Sequence, residues 1–158
     1  MGRIYNLPMA RTAVTAAIDF VEIVTAATHI CWINAIEMSQ STEIKDAEEE
    51  MIQLAFKTGQ TTSGSGGNTG VTPIPVLIGD AAHGMTVETF NTTKASAGTI
   101  VTHKIFDWNL RITPFPYIFT PETRLFIPPS TRATLELVTA PTPDAVTFGG
   151  QIVIEIIG

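Results

Sequence analysis

The carboxyl-terminal stretch Val146–Ile157, VTFGGQIVIEII, decides the fold of this chain. In its second half Ile152, Ile154 and Ile156 recur at every second position, which is the period of a β-strand. The alternate positions read Val, Glu and Ile, so the opposite face is also largely apolar. A strand that is apolar on both faces is covered on both. We therefore expect this strand in the middle of a sheet, paired on both edges and covered by the rest of the fold or by a neighbouring protein.

Similar strand signals recur along the rest of the chain, between Gly, Pro, Asn and Asp residues. The clearest has Ala133, Leu135 and Leu137 on one face, with Thr134 and Glu136 on the other. The predicted strands before residue 146 are 3–7, 13–16, 20–25, 30–37, 51–58, 99–105, 109–112, 124–127 and 131–139. Many short strands separated by turn residues are typical of an all-β sandwich or barrel, and we predict a jelly-roll-like β-sandwich.

Length and composition indicate one domain that assembles with other protein. The chain has 158 residues, so residues 1–158 are expected to form a single domain. Charged residues make up 15% of it, whereas soluble domains average about 25%. A surface with so few charges and a strand with two apolar faces together predict a homo-oligomer, with a trimer favoured.

Charge and hydropathy argue against nucleic acid and membranes as partners. The net charge is −6, and the nine basic residues are scattered from Arg3 to Arg132 without forming a stripe. The longest apolar stretch, residues 23–36, is too short to span a bilayer and is interrupted by polar residues. The first residues, MGRIYN, lack the apolar region of a signal peptide. A single cysteine, Cys31, leaves no internal disulfide and suits a reducing cytoplasm.

Three segments interrupt the strand pattern. Residues 41–53 give the one helical signal, since Ile44, Ala47 and Met51 have the spacing of a helix face, and we predict at most a short helix there. Residues 58–72 are rich in Gly, Ser and Thr and predict an exposed loop, without the lysine and following helix of a phosphate-binding loop. Residues 113–129 contain five prolines, which predict an edge strand or an irregular connection.

No residue pattern predicts catalysis or metal binding. Cys31 and His29 are two residues apart in a predicted strand, too far for an easy hydrogen bond, so Cys31 is expected in the core. The spacings of His29, His83 and His103 match no compact metal motif. The acidic run at 46–50 lacks the alternating ligands and the glycine of a calcium loop. We expect no enzyme activity, no cofactor and no bound metal.

The amino terminus is the first candidate contact segment. Arg3, Ile4 and Tyr5 combine a charge with apolar and aromatic anchors. Residues 1–9 are either an extended arm that pairs with the sheet edge of a neighbour or the first strand of the sandwich. The sequence leaves both interpretations open.

The second candidate contact segment surrounds Trp108. Trp108, Arg111, Tyr117 and Phe119 lie in or beside a stretch rich in proline and aromatic residues. Trp, Tyr and Arg are enriched at the energetic centres of protein interfaces, so these residues are candidates for a contact patch. The alternative is that Trp108 and Phe119 close one end of the sandwich.

Segments spread over nearly the whole chain resemble a family of small structural proteins of tailed phages and prophages. They are GRIY at 2–5, EMSQSTEIKDA at 37–47, TTSGSGG at 61–67, NTTKAS at 91–96, WNLR at 108–111, PETR at 121–124 and EIIG at 155–158. The resemblance implies a cement or decoration protein that clamps the major capsid protein, or another virion protein, and is located in the virion after assembly in the host cytoplasm. The alternative is a carbohydrate-binding or receptor-binding β-sandwich of a phage tail or fibre.

Overall fold

The computed structural model describes residues 2–42, 50–112, 114–142 and 144–158. Over these residues the chain forms eleven β-strands and no helix. The strands are β1 (Arg3–Val14), β2 (Asp19–Val24), β3 (Ile30–Gln40), β4 (Met51–Thr62), β5 (Ile74–Pro75), β6 (Thr86–Asn91), β7 (Ser96–Asn109), β8 (Phe115–Ile118), β9 (Leu125–Ile127), β10 (Arg132–Leu137) and β11 (Val146–Ile157).

The strands form two antiparallel sheets that pack as a sandwich. Sheet I has the order β5-β1-β11-β3-β8, and β9 also pairs with β3. Sheet II has the order β6-β2-β10-β4-β7. From β1 to β4 the chain alternates between the two sheets, and it crosses again from sheet II to sheet I between β10 and β11. This alternation is the jelly-roll arrangement. The prediction of an all-β, jelly-roll-like sandwich is confirmed.

The strand β11 lies at the centre of sheet I, as its sequence predicts. It pairs with β1 on one side and with β3 on the other, so that Ile154 lies between Tyr5 and Ile33. Ile152, Ile154 and Ile156 all point into the core. Because β11 is paired on both edges and buried on one face, a polar substitution on that face would disturb both neighbouring strands.

A single apolar core joins the inner faces of the two sheets. Phe20 of sheet II and Phe148 of sheet I meet edge-to-face with their ring centroids 5.0 Å apart. Phe90 and Trp108 pack on the same pair of rings, at 5.8 Å and 5.9 Å. Edge-to-face packing suits aromatic quadrupoles, so these rings bind the sheets together beyond the effect of buried area alone.

Several predicted boundaries are corrected. The predicted strands 3–7 and 13–16 belong to one strand, β1, with a register shift against β11 between Met9 and Thr12. The strand predicted at 109–112 is wrong: β7 ends at Asn109, and the amide of Ile112 donates to the carbonyl of Asn109 at 2.9 Å to close a turn. The strands β5, β6 and β8 were not among the predicted ones.

The helical signal at 41–53 and the loop predicted at 58–72 also differ from the structure. Residues 43–49 lie outside the described residues, and β4 begins at Met51, within the helical prediction. The strand β4 continues to Thr62, so the loop begins later than predicted. The strand passes through Gly59 because this glycine, at φ 92°, accommodates a register shift in the pairing with β7. The proline-rich segment does form short strands, β8 and β9, at the edge of sheet I, as predicted.

The strand β7 is one of the two edges of sheet II, and within the part of the chain that the structure describes it pairs with β4 alone. Its first eight residues are all exposed. The pairing with β4 shifts register twice, between Phe56 and Lys57 and between Thr58 and Gln60. This edge is therefore long but irregular.

Candidate interaction surfaces

Two cross-strand rows on the outer face of sheet I are largely apolar, whereas the row through Gln151 and Glu37 is polar. Along one cross-strand row, Ile4, Glu155, Trp32 and Phe126 lie side by side on β1, β11, β3 and β9. Ile4 and Phe126 are each 40% exposed. The one acidic group of this row is paired, because a guanidinium nitrogen of Arg124 lies 2.7 Å from the carboxylate of Glu155. The row thus presents apolar rather than charged surface to solvent.

The next row of the same face has a similar character. Asn6, Val153, Ala35 and Ile118 lie opposite one another on β1, β11, β3 and β8. Ile118 is 75% exposed at the end of this row. The second apolar face of β11 is therefore only partly covered by its own chain.

A second apolar surface projects from the β5 edge of sheet I. It consists of Ile74, Pro75, Val76, Leu77 and Ile78, which we call the apolar turn. The amide of Val76 donates to a carbonyl of β1 at 2.9 Å, and the amide of Asp80 donates to the carbonyl of Leu77 at 3.2 Å. Gly79 has φ 98°, as a type II turn requires at its third residue. These bonds hold Ile78 at the tip, where it is 98% exposed.

A groove of about 450 Å³ lies at the opposite edge of sheet I, between β9 and the strands β4 and β7 of sheet II. Phe56, Leu125 and Phe126 give it apolar walls, and His103 and Arg124 line it as basic groups. The groove therefore offers an apolar slot with basic side chains beside it.

The indole of Trp32 next to this groove is already engaged. The ring of Phe126 packs against it with centroids 4.7 Å apart, and the guanidinium carbon of Arg124 lies 5.3 Å from its centroid. Trp32 is therefore a packed part of the outer face and not an open stacking platform.

The structure separates the three amino-terminal candidates. Ile4 is exposed on the outer face of sheet I, and Arg3 is half-buried. Tyr5 is corrected to a core residue, because the two-residue period of β1 turns it inward, where its hydroxyl donates to the carbonyl of Ala81 at 2.6 Å. The segment itself is strand β1 of the sandwich, paired with β11 and β5, and not a free arm.

The second candidate set also divides between core and surface. Trp108 and Phe119 are corrected to core residues, and the indole nitrogen of Trp108 donates to the carbonyl of Ile112 at 2.7 Å. Tyr117 is half-buried, with its ring 4.8 Å from that of Phe119. Arg111 is exposed in the turn after β7. A contact role for Arg111 and Tyr117 stays a prediction.

A buried carboxylate on sheet II fastens the glycine-rich segment. Glu22 accepts hydrogen bonds from the hydroxyl of Ser63 at 2.6 Å, the amide of Gly64 at 2.8 Å and the side-chain amide of Asn91 at 3.2 Å. A guanidinium nitrogen of Arg132 completes the set at 2.7 Å. Two isolated β-bridges join the same segment to β6 and to the chain just after it: Asn68 pairs with Thr89, and Ser65 pairs with Thr93. The glycine-rich segment is therefore tethered to the sandwich.

Further charged groups fasten the loop after β6. The amide of Ala95 donates to the buried carboxylate of Asp19 at 2.7 Å, and burial raises the pKa of Asp19 to about 7. Glu136 contacts Lys57 at 2.6 Å and Lys94 at 2.7 Å. Burial raises the pKa of Glu136, but the bonds from these two lysines outweigh it and hold that pKa below its ordinary value. The arrangement ties loops to strands.

Cys31 is buried in the core, as predicted. Burial raises the pKa of its thiol to about 12, so it stays protonated at neutral pH. Among residues 2–42, 50–112, 114–142 and 144–158, no three His, Cys, Asp or Glu side chains are grouped so that they could hold a metal ion. The same ranges contain no helix with the length and apolarity needed to cross a membrane.

The apolar turn is not among the candidate sites predicted from the sequence. The available signal is a run of five apolar residues, 74–78, that contains one proline and directly follows another. Prolines exclude such a run from the interior of a sheet, so its apolar side chains are candidates for exposed surface. Comparisons with protein-family models, curated proteins and solved structures find no match to this chain.

Proposed function

We propose that this chain is a structural protein of a virus particle, namely a cement or decoration protein that binds the major capsid protein on the head of a tailed phage. The observation that carries the proposal is the outer face of sheet I, where Ile4, Ile118 and Phe126 are exposed. Large exposed apolar patches on soluble proteins mark contacts with other proteins. The segments that resemble phage structural proteins favour a virion partner.

The fold supports the same role. Jelly rolls occur in viral capsid domains, and they offer a stiff body with broad faces. The ion pairs of Glu22 with Arg132 and of Glu136 with Lys57 hold the loops of sheet II to that body. A body of this kind can bridge subunits without changing shape, which is what a cement protein requires.

We propose no catalytic step, cofactor or metal for this protein. The buried carboxylates of Asp19, Glu22 and Glu136 each bond a neighbouring loop or strand, so their chemistry serves the fold. The proposed location is the virion, and the proposed assembly is a homo-oligomer on the shell, with neither nucleic acid nor membrane as a partner.

Antibody labelling of purified particles tests the location. Particles from the cell that encodes the chain are expected to show regular labelling over the head. Labelling confined to the tail tip would assign the protein to receptor binding instead. Intact particles without any label would contradict a virion role.

A pair of exposed substitutions tests the contact face. Ile118→Asp places a charge on the outer face of sheet I, at a side chain that is 75% exposed, so the fold is expected to survive and binding to particles to fall. Ile112→Asp is the matched control, because Ile112 is also exposed but follows β7 of sheet II. Equal binding by the two variants would exclude this face as the contact.

The second candidate function is a carbohydrate-binding or receptor-binding module of a phage tail or fibre. The groove favours it, because the exposed ring of Phe126 lies beside Arg124 and His103, and apolar pockets with a few polar groups bind small ligands. The engagement of Trp32 within the chain argues against it. Glycan-array binding that is lost in Phe126→Ser would support this candidate over the first.

A further inference from the structure

We propose that the apolar turn of one copy inserts into the groove at the β9 edge of a second copy, so that the chain assembles head to tail. The inference deepens the homo-oligomeric part of the proposed function and rests on it. The groove is the slot lined by Phe56, Leu125, Phe126, His103 and Arg124.

The apolar turn has the properties of an anchor. Val76 and Leu77 are 59% and 67% exposed, and Ile78 projects further still. The turn is held by its bond to β1 and by the bond that Asp80 donates to Leu77, so little conformational freedom remains to be lost on binding. Pro75, within the turn, limits its freedom further.

The groove complements the apolar turn in polarity and in charge. Its walls are apolar, and the basic side chains beside them are His103 and Arg124, of which Arg124 also pairs with Glu155. Asp80 at the base of the turn is the one charged residue between Val71 and Ala82. Insertion of the turn would bring this carboxylate toward the basic groups while the aliphatic side chains fill the slot.

The positions of the two surfaces require a second copy. The strands β5 and β9 are separated by β1, β11 and β3 in sheet I. Four strand spacings of about 4.8 Å place them about 19 Å apart, so a chain cannot fill its own groove. A contact between two different surfaces of identical chains is heterologous, and it forms a closed ring when the rotation between copies closes. A trimer is such a ring.

Paired variants test the contact in the isolated protein. Ile78→Asp replaces the apolar side chain at the tip of the turn by a charge and leaves the groove unchanged. Phe126→Asp and the rim variant His103→Asp alter the groove and leave the apolar turn unchanged. In sedimentation at micromolar concentration, the wild type is expected as an oligomer and Ile78→Asp as a monomer, with a dissociation constant raised at least about thirtyfold. His103→Asp is expected to raise it at least about tenfold through repulsion of Asp80.

Mixing the variants gives the distinguishing result. Ile78→Asp and Phe126→Asp retain one good groove and one good turn between them, so the mixture is expected to form a dimer that grows no further. If Phe126→Asp unfolds, His103→Asp takes its place in the mixture. Ile112→Asp is the control and is expected to keep the wild-type mass, since it follows the end of β7 at Asn109, which lies about 20 Å along that strand from His103.

Four outcomes would overturn the inference. They are a monomeric wild type, an Ile78→Asp variant of wild-type mass, a mixture that stays monomeric, and a groove variant that loses glycan binding without a change in mass. These measurements use the isolated protein and do not depend on particles. Head-to-tail oligomers that then fail to bind particles in a separate assay would count against the cement role alone.

Discussion

Tyr5 shows that the burial of a side chain depends on which face of its strand it occupies. Its aromatic ring beside a charged and an aliphatic residue suggested an interface anchor, yet it lies in the core opposite Ile154. Its neighbour Ile4 carries the exposed apolar surface instead. The amino-terminal segment is too short to show which face is inward, because that is fixed by pairing with β11 at the other end of the sequence.

Ile154 provides the sharpest test of the core. Ile154→Asp is expected to lower the free energy of unfolding by at least about 4 kcal/mol, because it buries an unpaired carboxylate in a fully packed strand. Urea unfolding followed by circular dichroism measures the loss. Ile157→Asp is the control on the outer face of the same strand and is expected to cost about 1 kcal/mol or less. A soluble Ile154→Asp protein of wild-type stability would show that β11 is peripheral.

Asp19 predicts an unusual dependence of stability on pH. Burial raises its folded pKa to about 7, and the charges of Glu136 and Glu22 act in the same direction, against Lys94 and the Ala95 bond. Between about pH 4 and pH 7 the folded state holds a proton that the unfolded chain has released. The contribution of Asp19 to stability is therefore full at the acid end of this window and is lost as the pH rises through about 7.

Asp19→Asn tests this dependence, because an amide still offers an oxygen to Ala95 but does not ionise. Urea unfolding at about pH 5 and about pH 8 is expected to show a loss of stability in the wild type and little change in the variant. At the higher pH the free energy of unfolding of Asp19→Asn is expected to exceed that of the wild type by up to about 4 kcal/mol. The depressed pKa of Glu136 acts only at lower pH, where its stabilisation is lost as the pH falls below about 4.5. Equal pH profiles for both proteins would rule out Asp19 as the cause.

At the scale of elements, prediction succeeds where alternation is local. The strand β11 matches its predicted bounds, and β10 lies within its predicted range, since each shows its period within a few residues. The strands β6 and β8 give weaker signals. The first is polar at several positions, the second contains Pro116, and both are edge strands whose pairing comes from distant parts of the chain.

Deletion of residues 2–7 tests the role of β1. The structure places Tyr5 and Leu7 in the core, so the truncated protein is expected to lose at least about 4 kcal/mol of stability and to unfold well below the wild-type melting temperature. Thermal unfolding measured alongside particle binding separates the alternatives. An unchanged melting temperature with lost binding would restore the interpretation of this segment as an arm.

At the scale of the whole molecule, the sequence indicates the class of fold and the low surface charge but not the surfaces themselves. The groove is built from Phe56, His103 and Phe126, which belong to three strands far apart in the chain. Only the closed sandwich brings them together. The apolar turn is continuous in sequence and carries a recognisable signal, yet its opposition to the groove across sheet I is a property of strand order alone.

The free edge formed by β7 has a consequence for how copies behave when crowded. Its outward amide and carbonyl groups form a template on which another strand can stack, and the run Ile100-Val101 has the high β-propensity of aggregating segments. The two register shifts against β4 and the charge of Lys104 work against that stacking. Lys104→Val is expected to increase light scattering during concentration or heating, with Arg11→Val, at an exposed position on β1 of sheet I, as the control. In the particle assembly proposed above, many copies would gather in a small volume, and the irregularity of this edge would then help to keep ordered growth ahead of fibrous precipitation.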